Sequence, residues 1–359
     1  MERPPLVISP LIKIKYLEKD AKYYINRSTI LYGATGSGKT TILIEILYLL
    51  KDAVPNIFVF APTANETKDF DNIIPSALIY TDVDISVLTN IYTRQQAATK
   101  IYNKVNNIES IINLFKKIAN PESIRKFDSV YSYAKQCISK IKNINSTESN
   151  EIIKMRDKYI LSFCKSYIKK NKTQLNNMNL SNNEKYIVKY LNFNPNCIII
   201  FDDCGAILKR FQGEEVVKKI LFQGRHIHVN LILNLQDDIK VDSALKKNAF
   251  VSIFTTARCA SSYFERTSNS FSKSERLYAA KVIEHVFTSN TLKPDYRKLA
   301  YIRDDKDPFR YTIANIYQKF TFGSRALVQL CNRVSEKKEY DIDTDPSLES
   351  FKFKTDIYH

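Results

Sequence analysis

Three of the chain's seven glycines fall within eight residues, Gly33-Ala34-Thr35-Gly36-Ser37-Gly38-Lys39-Thr40. The stretch fits G-x-x-x-x-G-K-[ST] at every fixed position, and its flanks suit it. Ser28-Thr29-Ile30-Leu31-Tyr32 ahead of it is short and β-prone, and Thr41-Ile42-Leu43-Ile44-Glu45-Ile46-Leu47-Tyr48-Leu49-Leu50 behind it is long enough for a mostly buried helix. Strand, glycine loop and helix in that order make a phosphate cradle. Glycines let successive backbone N–H groups converge on phosphate oxygens with no Cβ in the way, and the helix N-terminus adds its partial positive charge. In this pattern Lys39 reaches the β- and γ-phosphates and the Thr40 hydroxyl ligates Mg²⁺. Residues Gly33 through Thr41 are therefore the expected nucleotide-binding set.

The rest of the chain has to supply a sheet around that loop. Ile57-Phe58-Val59-Phe60, Cys197-Ile198-Ile199-Ile200-Phe201, Asn230-Leu231-Ile232-Leu233-Asn234-Leu235 and Phe250-Val251-Ser252-Ile253-Phe254 are short apolar runs of the kind buried in parallel sheets. Ala77-Leu78-Ile79-Tyr80 is a shorter candidate. Alternation of such runs with helical segments, one of them over 273–288, predicts an α/β fold with a mainly parallel sheet and helices on both faces. Leu299–Arg303 and Tyr311–Ile316 flank Asp304-Asp305-Lys306-Asp307-Pro308, a turn sequence, and predict a C-terminal β-hairpin.

The formal charge of +16 favours a polyanionic partner, nucleic acid before an acidic membrane surface. Most of it lies in residues 101–190, which hold 17 Lys/Arg against 7 Asp/Glu. Ile108, Ile111, Ile112, Phe115 and Ile118 recur there at helical spacing, so this interval reads as a helical insertion with a polar, basic face. Asn171–Asn177 reads as a loop and Glu339–Asp345 as part of a mobile acidic tail. None of the six cysteines forms a C-x-x-C pair, which argues against a zinc ribbon or a redox motif and fits a reducing compartment. His226 and His228 lack a second ligand pair nearby and read as structural. Met1–Pro5 has no secretion-signal character, and the apolar stretch 42–50 contains Glu45 and is too short to span a bilayer. A soluble protein is expected.

Asp202 and Asp203 directly follow the apolar run 197–201. This is the acidic half of a phosphate-loop ATPase site. Asp202 is expected to hold Mg²⁺ through its water shell, since that ion prefers oxygen ligands and keeps several waters. Asp203 is placed to orient or deprotonate the attacking water. Gln236 follows the run 230–235, where it either senses the γ-phosphate or is a surface turn residue. Arg225, in Phe222-Gln223-Gly224-Arg225-His226, follows a helix expected over 214–222. It either serves a neighbouring subunit's γ-phosphate or caps that helix.

The order Gly33–Thr40, then Ile198-Ile199-Ile200-Phe201-Asp202-Asp203, then Gly224-Arg225-His226 running through Asn230–Leu235 to Gln236, resembles the FtsK–HerA class of DNA-pumping ATPases. Within that class it is most similar to the poxvirus-type virion DNA-packaging ATPases of large eukaryotic DNA viruses. The likeness covers roughly residues 28–65 and 195–260; the basic insertion has no counterpart in it.

The resemblance implies a P-loop NTPase fold of the RecA-like (ASCE) kind and an ATPase using ATP and Mg²⁺. It implies a homo-oligomeric ring, pentamer or hexamer, that translocates double-stranded DNA into a capsid. Capsid or membrane proteins at the packaging vertex would be further partners, and the host cytoplasm (the virus factory) and the virion the expected locations. It makes Arg225 the inter-subunit arginine and Gln236 the sensor, so Lys39, Asp203, Gln236 and Arg225 form the expected catalytic set and Thr40 and Asp202 the metal ligands. The expected organisation is a first half of the ATPase core over 1–100, the insertion over 101–194, a second half with the hairpin over 195–335, and the acidic tail over 336–359.

The alternative enzyme is a DNA helicase, because Phe60-Ala61-Pro62-Thr63 resembles a helicase strand-end motif. No D-E-x-H/D box or Q-x-x-G-R motif accompanies it. Asn234-Leu235-Gln236-Asp237 lacks the lysine of the guanine-reading N-K-x-D motif. An AAA+ reading of Gly323-Ser324-Arg325 is opposed by the preceding hairpin.

Overall fold

The structure, a computed structural model, describes residues 5–9, 12–142, 146–175, 178–211, 213–236, 243–288, 296–317 and 319–344. The chain divides into two units, Met1–Gln95 with Asn196–His359, and Gln96–Pro195.

The first unit is built on a sheet whose strands, among the described residues, are β1 (Leu6–Ser9), β2 (Ile12–Tyr16), β3 (Ser28–Tyr32), β4 (Asn56–Phe60), β5 (Ile79–Tyr80), β6 (Cys197–Asp202), β7 (Val229–Leu235), β8 (Val251–Phe254), β9 (Arg297–Ile302) and β10 (Phe309–Ile313). They lie in the order β1-β2-β10-β9-β8-β3-β7-β6-β4-β5. The six from β8 to β5 are parallel. β9 runs against both β8 and β10, β10 is parallel to β2, and β1 is antiparallel to β2.

Alternation along the strands explains why both faces are covered. Ile199, Phe201, Leu231, Leu233 and Tyr32 pack on one face with the helices Ala257–Glu265 and Lys273–Thr288, through Ala260, Tyr263, Phe264, Ala279, Val282 and Val286. Ile198, Ile200, Ile232 and Leu31 pack on the other with Ile42, Leu43, Ile46, Leu47 and Leu50 of the helix Lys39–Leu50. The period-2 side-chain direction of a strand sorts the two sets, and each such side chain contributes about 1.5–3 kcal/mol when fully buried.

Several sequence expectations change here. The expected C-terminal hairpin is present as β9–β10, and it joins the main sheet beside β8. The N-terminal strands were not foreseen, although Ile12-Lys13-Ile14-Lys15-Tyr16 alternates, with Ile14 buried between exposed Lys13 and Lys15. The segment 214–222 is not one helix: an α-turn Glu215–Lys218 opens into a π-helical turn Lys219–Gln223 and then a 3-10 turn Gly224–Ile227. Residues 325–344 are helical, so the part of the expected tail that can be described is not an irregular chain. The Ala, Leu, Gln, Glu and Lys in this stretch favour a helix. Residues 345–359 lie outside the described residues.

The second unit is helical, with helices Ile108–Ile118, Pro121–Lys142, Ser146–Lys170 and Asn182–Lys189. Asn107 caps the first by accepting from the Ser110 amide, and Ser181 with Glu184 forms a reciprocal capping box on the last. Ile111, Leu114, Phe115, Phe127, Ile160, Cys164, Ile168 and Ile187 make its core. Within the expected loop 171–177, Lys172–Leu175 forms a short helix; residues 176–177 lie outside the described ones. The expected polar outer face is interrupted by Val130, Tyr133, Met155 and Tyr159, all more than half exposed, around an apolar cleft of about 510 Å³.

Candidate nucleotide site

The phosphate loop leaves β3 and enters the helix at Lys39. Its glycines are dictated by geometry. Gly36 and Gly38 have φ of +75° and +88°, in the left-handed region that favours glycine. A Cβ on Gly33 would sit 1.7 Å from Thr255 Oγ1, so the backbone there approaches the end of β8 too closely for a side chain. Thr255 fixes that contact. Its amide donates to the Tyr32 carbonyl at 2.9 Å, and its hydroxyl lies 2.6 Å from Ser37 Oγ. The Ser37 hydroxyl also donates to the Ala34 carbonyl at 2.6 Å, closing the loop on itself. Lys39 is buried, and its Nζ donates to the carbonyls of Gly33 (2.7 Å) and Ala34 (3.2 Å). Its ammonium is thus held at the mouth of the loop. Thr41, in the first turn of that helix, also lines a surface cleft with Ile44, Asp71 and Tyr317.

Strand pairing brings the acidic half to the same end of the sheet. β7 lies between β3 and β6; Tyr32 pairs with Leu235 and Asn234 with Asp202. Two strand spacings put Asp202 roughly 10 Å across the sheet from the loop. Asp202 is buried, and Asn234 Nδ2 donates to its Oδ1. Burial, then the charge of Asp203, push its carboxyl up to about 6; Asp69 adds to this, while the Asn234 hydrogen bond and the Lys39 ammonium oppose it. Lys39 and Asp202 therefore feel each other's charge across the crevice.

Asp203 is exposed, has φ of +51°, and donates its amide to the Asn234 carbonyl at 3.0 Å. That turn is supported from below by Cys204, whose thiol donates to the Phe60 and Asp202 carbonyls and is raised to about 12 by burial and by the two aspartates. Gln236 follows Leu235, whose carbonyl accepts the Gly33 amide, so it stands beside the start of the loop with its side chain exposed.

Arg225 does not join this group. It lies in the 3-10 turn before β7, at the N-terminal end of that strand, whereas the loop is at the C-terminal end of β3 and β7. Seven strand residues separate the two ends, roughly 20 Å. A contact between Arg225 and its own loop is excluded. Arg225 is exposed, with Nε 3.4 Å from His226 Nε2.

The donor set fits Mg²⁺. Thr40 Oγ1 and the Asp202 carboxylate would offer it hard oxygen donors, and Asn234 Oδ1, beside Asp202, is a buried acceptor with no hydrogen-bond partner among the described residues, suited to a metal-bound water. Among the described residues there is no cluster of three or more His, Cys, Asp or Glu placed to hold a metal, and no helix long and apolar enough to cross a membrane.

Sequence reasoning missed Asn234, Thr255 and Lys298. Asn234 carried a signal, a polar residue inside the apolar run 229–235. Thr255 and Lys298 carried none, because only the pairing of β8 with β3 and β9 brings them to the loop.

A parallel sheet with the phosphate loop at one strand end and a carboxylate two strands away defines a P-loop NTPase. The chain belongs to the family of the African swine fever virus protein named "Uncharacterized protein B354L". It is 30% identical to the protein of the Warthog/Namibia isolate over 358 residues, covering 94% of this chain and 96% of that one. The same figures hold for the Badajoz strain. No protein-family model matches. Among solved structures, the chain is similar to the genome packaging NTPase B204 from Sulfolobus turreted icosahedral virus 2 with sulfate (10% identity, 84% of this chain and all of that one, TM-score 0.39). It is also similar to the pCW3 conjugation coupling protein TcpA with ATPγS (14% identity, 91% and 68%, TM-score 0.34).

Proposed function

We propose that the chain is an ATP-driven, double-stranded DNA translocase that works as a homo-oligomeric ring, pentamer or hexamer, in packaging a viral genome. The observation that carries the nucleotide part is the placement of Asp202 at the end of β6, within electrostatic reach of Lys39 on the loop. The triphosphate would lie on the backbone amides of residues 34–40 at the helix N-terminus, with Lys39 exchanging its two loop carbonyls for phosphate oxygens. Thr40 and Asp202 would hold Mg²⁺, which would supply neutralisation of the charge that develops on the phosphates. Asp203 takes the proton of the attacking water as the bond from water oxygen to γ-phosphorus forms and the β–γ bridge breaks. Gln236 orients that water, and Arg225 serves the neighbouring subunit's γ-phosphate. The likeness to a genome packaging NTPase agrees with DNA as the track. The chain's +16 charge favours the same partner. Capsid or membrane proteins at the packaging vertex, and a location in the virus factory and virion, belong to the same reading.

The test is ATP turnover with and without duplex DNA on wild type and Lys39→Ala. Duplex-stimulated hydrolysis is expected, lost in Lys39→Ala, with DNA binding that weakens steeply as salt rises. Strand separation on a forked substrate without movement along intact duplex would replace this reading with a helicase, and salt-insensitive DNA affinity would count against the motor.

A further inference from the structure

Among the described residues outside the proposed machinery, Lys298 stands where the loop's chemistry calls for a cation. Lys298 is the second residue of β9, an antiparallel neighbour of β8. The pairing of Leu299 with Phe254 sets Lys298 beside Thr255, just past the end of β8. It is buried, 6% exposed, and its Nζ donates to the Ser37 carbonyl at 2.7 Å and to the Thr255 carbonyl at 3.3 Å. Its Cε and Nζ lie 3.7 Å from where a Cβ on Gly38 would be, so the ammonium touches the residue that opens the helix Lys39–Leu50.

Two physical consequences follow. In a trans peptide the C=O and N–H point in opposite directions. A lysine that draws the Ser37 carbonyl to the outside of the loop therefore turns the Gly38 N–H toward the concave side, where phosphate oxygens bind. The same lysine puts a second full positive charge next to the helix N-terminus, in addition to Lys39, where the backbone already favours an anion.

We propose that Lys298 is a nucleotide-binding residue: it aims the Gly38 amide through the Ser37 carbonyl and adds its own charge to the field holding the β-phosphate. The proposal rests on the reading of residues 33–41 as an ATP site. It also gives the hairpin β9–β10 a direct connection to the nucleotide, because the residue that touches the loop belongs to the hairpin's first strand.

Calorimetric titration of ADP into the full chain tests it, with wild type, Lys298→Met, Lys298→Gln and Lys298→Arg compared and the thermal midpoint of each measured without nucleotide. Loss of one nearby charge from a partly desolvated site is expected to weaken ADP binding about tenfold in both the Met and Gln variants. Arg, which keeps the charge, restores much of it. Gln can still donate to the Ser37 carbonyl. Wild-type affinity in Gln with weak binding in Met would reduce Lys298 to a strut and overturn the charge role. Wild-type affinity in both would overturn the proposal. A structure of the wild-type chain with ADP needs no variant and decides the matter independently. Nζ is expected within about 6 Å of a phosphate oxygen, and a separation beyond about 10 Å, where one charge contributes little in a polar crevice, would overturn the assignment. Failure of the wild type to bind ADP would remove the ATP site itself and the proposal with it, whereas binding that ignores Lys298 removes the proposal alone.

Discussion

Asn234 reaches across from β7 to donate a hydrogen bond to Asp202 Oδ1, and both side chains are buried. Holding one carboxylate oxygen fixes the rotation of the group that is proposed to face Mg²⁺. Partners that orient a metal-binding carboxylate typically matter by 10–100-fold in metal affinity or activity. In Asn234→Ala the Mg²⁺ concentration giving half-maximal ATP turnover is expected to rise by about that factor, while ADP binding without Mg²⁺ stays close to wild type. A magnesium titration of turnover reads the first quantity and calorimetry the second.

The raised carboxyl of Asp202 predicts a pH-dependent stability penalty. Its pKa rises from 3.8 to about 6 on folding, so the folded chain binds that proton more tightly than the unfolded chain. Ionised Asp202 therefore detracts from stability: not at all below about pH 4, increasingly between 4 and 6, and fully above 6. The penalty is on the order of 3 kcal/mol at most. In magnesium-free buffer Asp202→Asn is expected to melt at a higher temperature than wild type at pH 7.5, and the difference should shrink as the pH falls from 6 toward 4. Thermal melts of both proteins across that range check it; a gain that persists unchanged at pH 4 would contradict the assignment.

Glu45 is a structural debt of the helix that follows the loop. It is 3% exposed, forms an ion pair with Lys19, and accepts from the Asn315 amide at 3.0 Å. Lys19 Nζ also donates to Thr312 Oγ1 at 2.7 Å and to the Ile313 carbonyl at 3.0 Å. The pair thus ties that helix to the segment after β2 and to β10. Removing one partner of a buried pair leaves the other charge uncompensated, which costs about 3–5 kcal/mol. Glu45→Ala is expected to lose that much in urea unfolding, and the double variant Lys19→Met/Glu45→Leu to recover most of it.

What could be read from the sequence was local. The loop 33–40, the apolar run ending in Asp202-Asp203, the strand before Gln236 and the helix Lys273–Thr288 all announce themselves through spacing and periodicity, and each stands where it was expected. What could not be read depends on pairing between distant segments. Glu45 looked like an interruption in an apolar run, and its purpose became visible only when β2 and β10 came alongside each other. Lys298 and Thr255 are 261 and 218 residues from the Ser37 they contact. Asn234 is the intermediate case: its polarity inside a strand marked it, but its partner Asp202 was set by the register of β6 on β7.

The parallel pairing of β7 with β3 separates Arg225 from its own loop and makes a prediction about assembly. The arginine and the loop lie at opposite ends of β7, so any action on a γ-phosphate must come from a neighbouring subunit through a head-to-tail contact. Arg225→Ala is expected to lower duplex-stimulated ATP turnover by about 10³-fold or more, as removal of an arginine finger does elsewhere, with ADP binding retained. Asp203→Asn should be as inactive, through loss of the base within the subunit. In an equimolar mixture, a contact joining the intact loop side of an Arg225→Ala subunit to the intact arginine of an Asp203→Asn subunit is competent. Random mixing makes about one contact in four of this kind. Turnover should therefore recover toward a quarter of wild type if each contact works alone, and to less if the ring fires in sequence. A mixture no more active than its components, in rings shown by native mass spectrometry to contain both variants, would remove Arg225 from the site.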